Sequence, residues 1–454
     1  MSSVRQAALR VVQILQEKGH TAFFAGGCVR DLVLRRTPQD YDVATSATPS
    51  EIEKCFRRTI GVGKSFGVIR VRQNNHEIEV ATFRTEGPYL DGRRPEYVEF
   101  TTAEEDAKRR DFTINGLFYD PIRRSILDFV SGRKDLKKRV LRAIGDPVLR
   151  FQEDHLRLLR CIRFAAQLNF KIETKTWKAL SHLAPSIQLV SAERIRDELT
   201  KLLIAPDATK GLRLLSRSGL MKQLLPEIEA MKGVPQPRAF HPEGDVYVHT
   251  LKVVSSLKNP SPLLAWSALL HDVGKPPTFE KSLVRKRVRI RFPEHAKVGA
   301  EISDQILRRL RFSNSERETV VEMVANHMTF KDVKAMRLAT LKRLMARPTF
   351  EEELKLHQAD CQACHGKLGN VRFLKRRQRE LAREEIKPPR LISGKDLIKL
   401  GLTPGPLFGK ILSAVEEAQL EGTIRTEKEA LDYARTLTAP GARSILMSLQ
   451  ESKK

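Results

Sequence analysis

The sequence predicts an α+β protein in which a small α/β head is followed only by helical regions. Short strand-like segments fall between residues 21 and 84, and Gln73-Asn74-Asn75-His76 is a hairpin signal between two of them. Helical apolar spacing begins near residue 150 and continues through the rest of the chain. A proline-bearing linker at residues 384–391 marks off a last helical segment.

The chain is long and strongly basic. Its 454 residues suffice for about three or four domains, and 81 Lys and Arg against 55 Asp and Glu give a net charge of +26. Such an excess of positive charge indicates a polyanionic partner. Aromatic residues make up only 6%, which favours recognition of folded RNA or a duplex over rows of stacked bases.

No apolar stretch approaches the roughly 18 residues that a membrane span needs, and residues 1–19 lack the apolar core of a signal peptide. We therefore expect a cytoplasmic protein that does not enter a membrane. The five cysteines are too few and too scattered for a disulfide framework. Cys361-Gln-Ala-Cys364-His365 matches the c-type haem attachment pattern, but without an export signal we expect an ordinary helix and no haem there.

The segment from Phe23 to Asp42 combines a glycine hinge with two closely spaced carboxylates. A predicted strand ends at Gly26-Gly27, where backbone amides can approach an anion, and a helix predicted over residues 28–34 directs its N-terminus at the same point. Asp40 and Asp42 are two apart, so both project to one face of an extended segment. We predict that they hold Mg²⁺ for a phosphoryl displacement, although a solvated turn is the commoner role of Asp-x-Asp.

The pattern Gly26-Gly27-x-Val29-Arg30-Asp31 followed by Asp40-x-Asp42 resembles the catalytic core of the polymerase β nucleotidyltransferase superfamily. In that superfamily a neighbouring strand supplies a third carboxylate. Glu79 is an acid within an otherwise apolar alternation at residues 77–84. The resemblance implies that Glu79 completes the catalytic set with Asp40 and Asp42, and an exposed strand glutamate is the alternative.

Residues 105–120 predict a helix whose apolar side chains face inward and from which Arg109 and Arg110 can bind a triphosphate. A solvated basic face is the alternative. Asp106, the run Arg109-Arg110-Asp111-Phe112-Thr113-Ile114-Asn115, and the segments 128–135 and 142–147 resemble the successive motifs of the class II tRNA nucleotidyltransferase and bacterial poly(A) polymerase family. The resemblance extends over roughly residues 20 to 230.

Residues 150–168 predict one continuous helix on which Glu153, Asp154 and Arg157 occupy adjoining positions. Asp154 and Arg157 are three apart, so they form either an ordinary salt bridge or a planar donor and acceptor edge. In the resembled family Glu-Asp-x-x-Arg pairs with the incoming base. Such an edge selects C or A because G and U would leave its polar groups unpaired.

The resemblance implies a nucleotide-binding set that spans the head and this helix. Its members are Gly26, Gly27, Arg30, Arg109, Arg110, Asp111, Asn115, Asp154, Arg157, Arg160 and Arg163.

Seven of the eleven histidines follow residue 240. The order His249, His271-Asp272, His295, His327 and Asp360 resembles the ligand order of an HD phosphohydrolase. Imidazole and carboxylate together suit a divalent ion that activates water, for which Mg²⁺, Mn²⁺ and Ni²⁺ are the candidates. A buried core role is the alternative for any one histidine. The basic segment 281–292 predicts a surface loop or hairpin on the RNA side.

These resemblances imply a polymerase β-like nucleotidyltransferase head at residues 1–147 and a helical neck at 148–235. They imply an HD domain at 236–385 and a helical RNA-binding tail at 386–454. In the tail, residues 394–412 predict two helices joined by a tight turn, with the second beginning at Pro406. The sequence carries no signal for an oligomeric state.

The resemblance implies template-independent addition of C, C and A to the 3′ end of tRNA, with CTP and ATP as substrates. A poly(A) polymerase or an A-adding tRNA nucleotidyltransferase on the same fold is one alternative. An HD phosphohydrolase with a degenerate head is another, against which the intact Asp40, Asp42 and residues 109–115 argue. The loop at residues 86–95, Glu-Gly-Pro-Tyr-Leu-Asp-Gly-Arg-Arg-Pro, argues against an enzyme that adds only C.

Overall fold

A mixed β-sheet forms the centre of the N-terminal region. The computed structural model describes residues 3–61, 66–87, 96–237, 244–284, 287–381, 386 and 388–438. The strands of this region are Ala22–Ala25 (β1), Asp42–Thr45 (β2), Thr59–Ile60 (β3), Val68–Gln73 (β4), His76–Thr82 (β5), Arg84–Glu86 (β6), Val98–Phe100 (β7), Leu117–Asp120 (β8) and Ser125–Asp128 (β9). Seven of them form one sheet in the order β3-β4-β5-β2-β1-β8-β9, and β6 pairs with β7 alone.

Strand register brings two of the predicted catalytic acids together. β1 pairs antiparallel with β2, so that Ala25 lies opposite Asp42. β2 and β5 are parallel, with Val43 opposite Val80, which puts Asp42 and Glu79 at neighbouring positions. β4 and β5 are joined by the predicted hairpin turn, in which Asn74 and Asn75 both have positive φ.

Helices cover both faces of the sheet. They are Val4–Glu17 (α1), Gly27–Val33 (α2), Pro49–Cys55 (α3), Ala103–Lys108 (α4) and Gly132–Lys138 (α5). Consecutive residues of β1 point to opposite faces, so Phe24 packs in the cluster that contains Val11 and Leu15 of α1, while Phe23 packs with Phe83 and Phe118.

The helix predicted over residues 105–120 is wrong beyond Lys108. A turn and a short 3₁₀ segment at Thr113–Asn115 follow α4, and residues 117–120 are the strand β8. The Asp111 carboxylate accepts hydrogen bonds from the Phe112 backbone and the Asn115 amide, which stabilises the turn. Strand pairing with β1 and burial of Phe118 then outweigh the helical spacing of the local sequence.

The single helix predicted over residues 150–168 is also wrong. The structure has two helices, Pro147–Glu153 (α6) and Leu156–Leu168 (α7), with extended backbone at Asp154 between them. The Asp154 carboxylate accepts the backbone N–H of Leu156 at 3.0 Å, so its side chain competes with helix continuation. Asp154 therefore precedes the helix that carries Arg157 instead of sharing a face of it.

After β9 the described chain is mainly helical and contains two short strand pairs. Residues Val140–Leu141 (β10) pair with Lys171–Ile172 (β11), and Glu280–Val284 (β12) pairs with Arg287–Arg291 (β13). The helices are Thr174–His182 (α8), Ala192–Leu203 (α9), Ala208–Arg217 (α10), Leu220–Leu224 (α11), Pro226–Glu229 (α12), Val246–Ser256 (α13), Pro262–Leu270 (α14), His295–Arg309 (α15), Asn314–Asn326 (α16), Leu338–Met345 (α17), Phe350–Ala363 (α18), Gly369–Glu380 (α19), Gly394–Lys399 (α20), Pro406–Glu421 (α21) and Glu427–Thr438 (α22).

This architecture confirms the α+β class, the basic hairpin and the two tail helices. One hydrophobic cluster runs from Ala7 to Ala363, and a smaller cluster holds the tail helices together. None of the helices in the described ranges has the length and apolar character of a membrane span. Most of the predicted loop at residues 86–95 lies outside the described residues.

Candidate functional site

One cavity of about 620 Å³ gathers every residue that the sequence assigned to the head reaction. It is lined by Gly26, Gly27, Arg30, Asp40, Asp42, Glu79, Arg109, Arg110, Asp111, Asn115, Asp154, Arg157, Arg160 and Arg163. Arg84, Phe164 and Arg194 also line it and were not predicted. The cavity therefore joins the sheet edge that carries the acids to the start of α7.

The charges of Glu79 and Asp40 oppose ionisation of Asp42 at the sheet edge. Asp42 is exposed to the open cavity, but its partial loss of hydration there and the charge of Glu79 raise its pKa to about 6, and Asp40 acts in the same direction. Carboxylates that repel one another suit a hard cation such as Mg²⁺, whose charge offsets the repulsion. In the described part of the chain, Asp40, Asp42 and Glu79 are not among the groups whose ligand atoms all lie within 4.8 Å of one another. They line the cavity without closing into a compact cage.

The glycine hinge lets the backbone pass close to an arginine of the cavity. Gly26 has φ 71°, in the left-handed region, and precedes the first turn of α2. A Cβ atom at this position would lie 3.0 Å from Nη1 of Arg110. Only glycine combines this backbone conformation with that close approach.

Four predicted nucleotide-binding residues are linked to each other. Arg30 Nη1 donates to Asn115 Oδ1 at 3.0 Å, and the Asn115 amide donates to Asp111 Oδ1 at 3.0 Å. Arg160 donates to Asp111 Oδ2 from Nε and Nη2, at 2.9 and 2.7 Å. Burial opposes ionisation of Asp111, but the charge of Arg160 and these hydrogen bonds lower its pKa to about 2. The network holds the arginines in fixed positions at the cavity wall.

A buried aspartate orients the two adjacent arginines. Asp106 is almost fully buried, and it accepts from Arg109 Nε at 2.9 Å and from Arg110 Nη2 at 2.9 Å. Arg109 also pairs with Glu86 at 2.7 Å. The two guanidinium groups are thereby held against the cavity, in reach of a bound anion.

Asp154 and Arg157 do not pair with each other. Asp154 Oδ2 accepts from Arg194 Nη2 at 2.8 Å, whereas Arg157 pairs with Glu153 and donates to the carbonyl of Arg150. Nη1 of Arg194 is buried and has no hydrogen-bond partner among the described residues. The acceptor and donor edge at this end of the cavity is therefore built from Asp154 and Arg194, with Arg157 beside it.

Arg194 was missed because it lies 40 residues from Asp154, in a neck helix, α9, whose local pattern predicts only packing. Its position near the start of that helix gave no sequence signal. Only the packing of α9 against α7 brings the two side chains together.

A second cluster joins all six residues of the predicted HD set. Asp272 lies at its centre: its carboxylate oxygens are 3.2 to 3.8 Å from Nε2 of His249, His271, His295 and His327. Asp360 Oδ1 lies 3.1 Å from Nε2 of His249. Lys275 Nζ is 2.7 Å from Asp272. The structure thus brings together residues that are more than one hundred positions apart.

Backbone carbonyls orient three of these histidines. Nδ1 of His271, His295 and His327 lies 2.9, 2.9 and 2.6 Å from a carbonyl oxygen three residues earlier, which turns each Nε2 into the cluster. Nε2 of His295 and of His327 is buried and has no hydrogen-bond partner in the described ranges. Burial lowers the pKa of both, that of His327 to about 4. Neutral imidazoles with inward nitrogens beside carboxylates fit a divalent metal ion.

The cluster opens into a cavity of about 910 Å³ with a basic lining that includes Lys275, Arg291, Lys331, Lys334 and Lys367. This charge suits a phosphorylated ligand. Gly274 lets the chain that follows Asp272 pass close to the start of α15, since a Cβ at this position would lie only 2.1 Å from the carbonyl oxygen of His295.

Family models match three parts of the chain. The poly A polymerase head domain matches residues 22–142, the probable RNA and SrmB-binding site of polymerase A matches 169–232, and the HD domain matches 246–362. Each range falls within one segment of the predicted organisation.

Similar proteins extend over nearly the whole chain. The CCA-adding enzyme of Streptococcus mutans is 33% identical over 433 residues, which cover 95% of this chain and 96% of that protein. That of Leuconostoc mesenteroides is 33% identical over 92% of each chain. The crystal structure of the Bacillus stearothermophilus CCA-adding enzyme in complex with CTP superposes with a TM-score of 0.73, at 27% identity, and covers 100% of this chain and 99% of that one.

Proposed function

Because this chain belongs to the family of CCA-adding enzymes, which are nucleotidyltransferases, we propose that its head cavity adds C, C and A to the 3′ end of tRNA from CTP and ATP. The proposal rests on one cavity that brings three groups together. They are the acids Asp40, Asp42 and Glu79, the adjacent arginines Arg109 and Arg110, and the edge formed by Asp154 and Arg194. The net charge of +26 agrees with a tRNA partner.

We assign the cation site to Asp40, Asp42 and Glu79, because the register of the parallel β2–β5 pair puts Asp42 beside Glu79. Mg²⁺ bound there would supply the charge that stabilises the attacking and leaving oxygens of the displacement. Arg109 and Arg110, aimed by Asp106, bind the triphosphate and neutralise its charge. Arg30, Asp111, Asn115 and Arg160 keep the cavity wall rigid, so substrate groups meet a preorganised surface.

Base selection belongs to the other end of the cavity. The Asp154 carboxylate offers an acceptor, and the guanidinium groups of Arg157 and Arg194 offer donors. Nη1 of Arg194 has no hydrogen-bond partner within the described part of the chain, which favours a ligand that accepts a hydrogen bond at that place. C and A each present an amino donor next to a ring acceptor, whereas G and U would leave buried groups unpaired.

Asp154→Ala is expected to lower discrimination among the four nucleotides while transfer continues. Each lost hydrogen bond to a base edge is worth roughly 1–3 kcal/mol, so the preference for C and A should fall about ten- to a hundredfold. Relative kcat/KM values for CTP, ATP, GTP and UTP measure the effect. Asp197→Ala is the matched control, because Asp197 lies on α9 near Arg194 but pairs with Arg196 outside the cavity. An unchanged preference in Asp154→Ala would exclude this residue from base selection.

The product distinguishes full CCA addition from the alternatives. The protein is incubated with tRNA that lacks its 3′ end and with labelled CTP, ATP or both, and product ends are sequenced. We expect CCA ends with both nucleotides and C addition with CTP alone. Ends extended only by A would favour an A-adding enzyme or a poly(A) polymerase.

We also propose metal-dependent phosphate ester hydrolysis at the HD cluster. The inward nitrogens of His295 and His327, which have no hydrogen-bond partner among the residues described, favour a bound divalent ion there, for which Mg²⁺, Mn²⁺ and Ni²⁺ are candidates. Such an ion would supply an activated water. The basic lining of the adjoining cavity binds the phosphate group of the substrate.

A further inference from the structure

One histidine of the HD cluster is oriented differently from the other three. His249 lies within the first turns of α13, where the carbonyl three residues earlier, that of Val246, already accepts the Thr250 hydroxyl. Nδ1 of His249 instead faces the sulfur of Cys364, at 3.8 Å. A thiol therefore occupies the place that a carbonyl oxygen has at His271, His295 and His327.

The same sulfur contacts a second member of the cluster. Cys364 lies directly after α18, one helical turn from Asp360, and its Sγ donates to Asp360 Oδ1 at 3.4 Å. Oδ1 of Asp360 is in turn 3.1 Å from Nε2 of His249. The thiol thus connects two side chains from helices that are far apart in sequence, α13 and α18.

Cys361 shows that this geometry is specific to one cysteine. It is three residues earlier on α18, and its sulfur lies 3.5 Å from Nε2 of His357, which is outside the metal-like groups of the described chain. Both cysteines line the same cavity. The pair therefore supplies a test residue and a matched control at the C-terminal end of α18.

We propose that Cys364 is a positioning residue of the HD metal centre, which accepts a hydrogen bond from Nδ1 of His249 and donates one to Asp360. This inference rests on the proposed metal centre. The contact selects the tautomer of His249 whose Nε2 is unprotonated and faces the cluster, as the carbonyl contacts do for the other histidines. It also holds the Asp360 carboxylate beside that nitrogen.

The test measures Co²⁺ binding by the full chain. Calorimetry gives the affinity, and visible absorption reports the ligands of the bound ion. All proteins carry Asp42→Asn, which weakens binding in the head. Loss of an outer hydrogen bond to a metal ligand typically costs 10–100-fold in affinity, so we expect that range for Cys364→Ala. Cys364→Ser should recover most of the affinity, because a hydroxyl also accepts and donates. Cys361→Ala should bind Co²⁺ with the affinity of the parent, which is the protein that carries Asp42→Asn alone.

The possible failures are distinct. Parent-like affinity in Cys364→Ala would overturn the positioning role. A thiolate-to-cobalt charge-transfer band that disappears in Cys364→Ala would also overturn it, because Cys364 would then be a direct ligand. If adding His271→Ala to the parent leaves Co²⁺ binding unchanged, the proposed metal centre itself is wrong. Normal nucleotide addition by Cys364→Ala with Asp42 intact checks that the variant folds.

Discussion

Asp42→Ala is expected to lower the rate of nucleotide addition by about a thousandfold or more, while tRNA affinity stays close to that of the unaltered protein. Asp42 begins β2 at the sheet edge and neighbours Glu79 across the parallel β2–β5 pair. Its removal takes away a cation ligand, and metal ions supply several kcal/mol of transition-state stabilisation in such displacements. Asp42 carries no positive charge that could bind RNA, so its loss should leave tRNA affinity nearly unchanged. Single-turnover extension of tRNA and a binding titration measure the two quantities.

The matched control is Glu77→Ala. Glu77 lies on β5 two residues before Glu79, is exposed, and lies 3.7 Å from Arg70 outside the cavity. We expect this variant to extend tRNA at the normal rate. Turnover of Asp42→Ala within a few-fold of the unaltered protein would remove Asp42 from the cation site.

His271→Ala is expected to abolish metal-dependent hydrolysis of phosphate monoesters and 2′,3′-cyclic phosphates and to spare nucleotide addition. His271 is buried and lies 3.2 Å from Asp272 through Nε2, so its loss removes one ligand of the proposed centre. Of the residues that the structure describes, none lines both the head cavity and the HD cavity. Hydrolysis assays with added Mg²⁺, Mn²⁺ or Ni²⁺ measure the effect.

The two variants control each other. Asp42→Ala should hydrolyse normally, and His271→Ala should extend tRNA normally, which also shows that a variant at a buried histidine has folded. Hydrolysis that persists in His271→Ala would exclude the HD cluster as its site.

Local patterns, together with the family resemblance, predict Asp40, Asp42 and Glu79 as members of one site, whereas Arg84 and Arg194 carry no such signal. Asp40, Asp42 and the Gly-Gly hinge are close in sequence, and Glu79 interrupts an apolar alternation, so a short window contains each signal. Patterns of this kind could not reveal the end of α4 at Lys108. There, burial of Phe118 and pairing of β8 with β1 depend on residues almost a hundred positions away.

Side-chain partners were harder to predict than site membership. Asp154 lines the head cavity, but the break between α6 and α7 gives it Arg194 as a partner instead of Arg157. Cys364 was recognised only as part of a haem-like spacing. Its contact with His249 arises from the packing of α18 against α13, for which no short sequence window carries a signal.

The six side chains of the HD cluster come from the interiors or ends of five separate helices, α13 to α16 and α18. An ion held by them would act as a cross-link in the folded state. At a free concentration one hundred times its Kd, a ligand that binds only the folded state adds about 2.7 kcal/mol to the free energy of unfolding. Cellular metal supply would then govern how long this half of the chain survives heat or proteases, even when no phosphate ester is being hydrolysed.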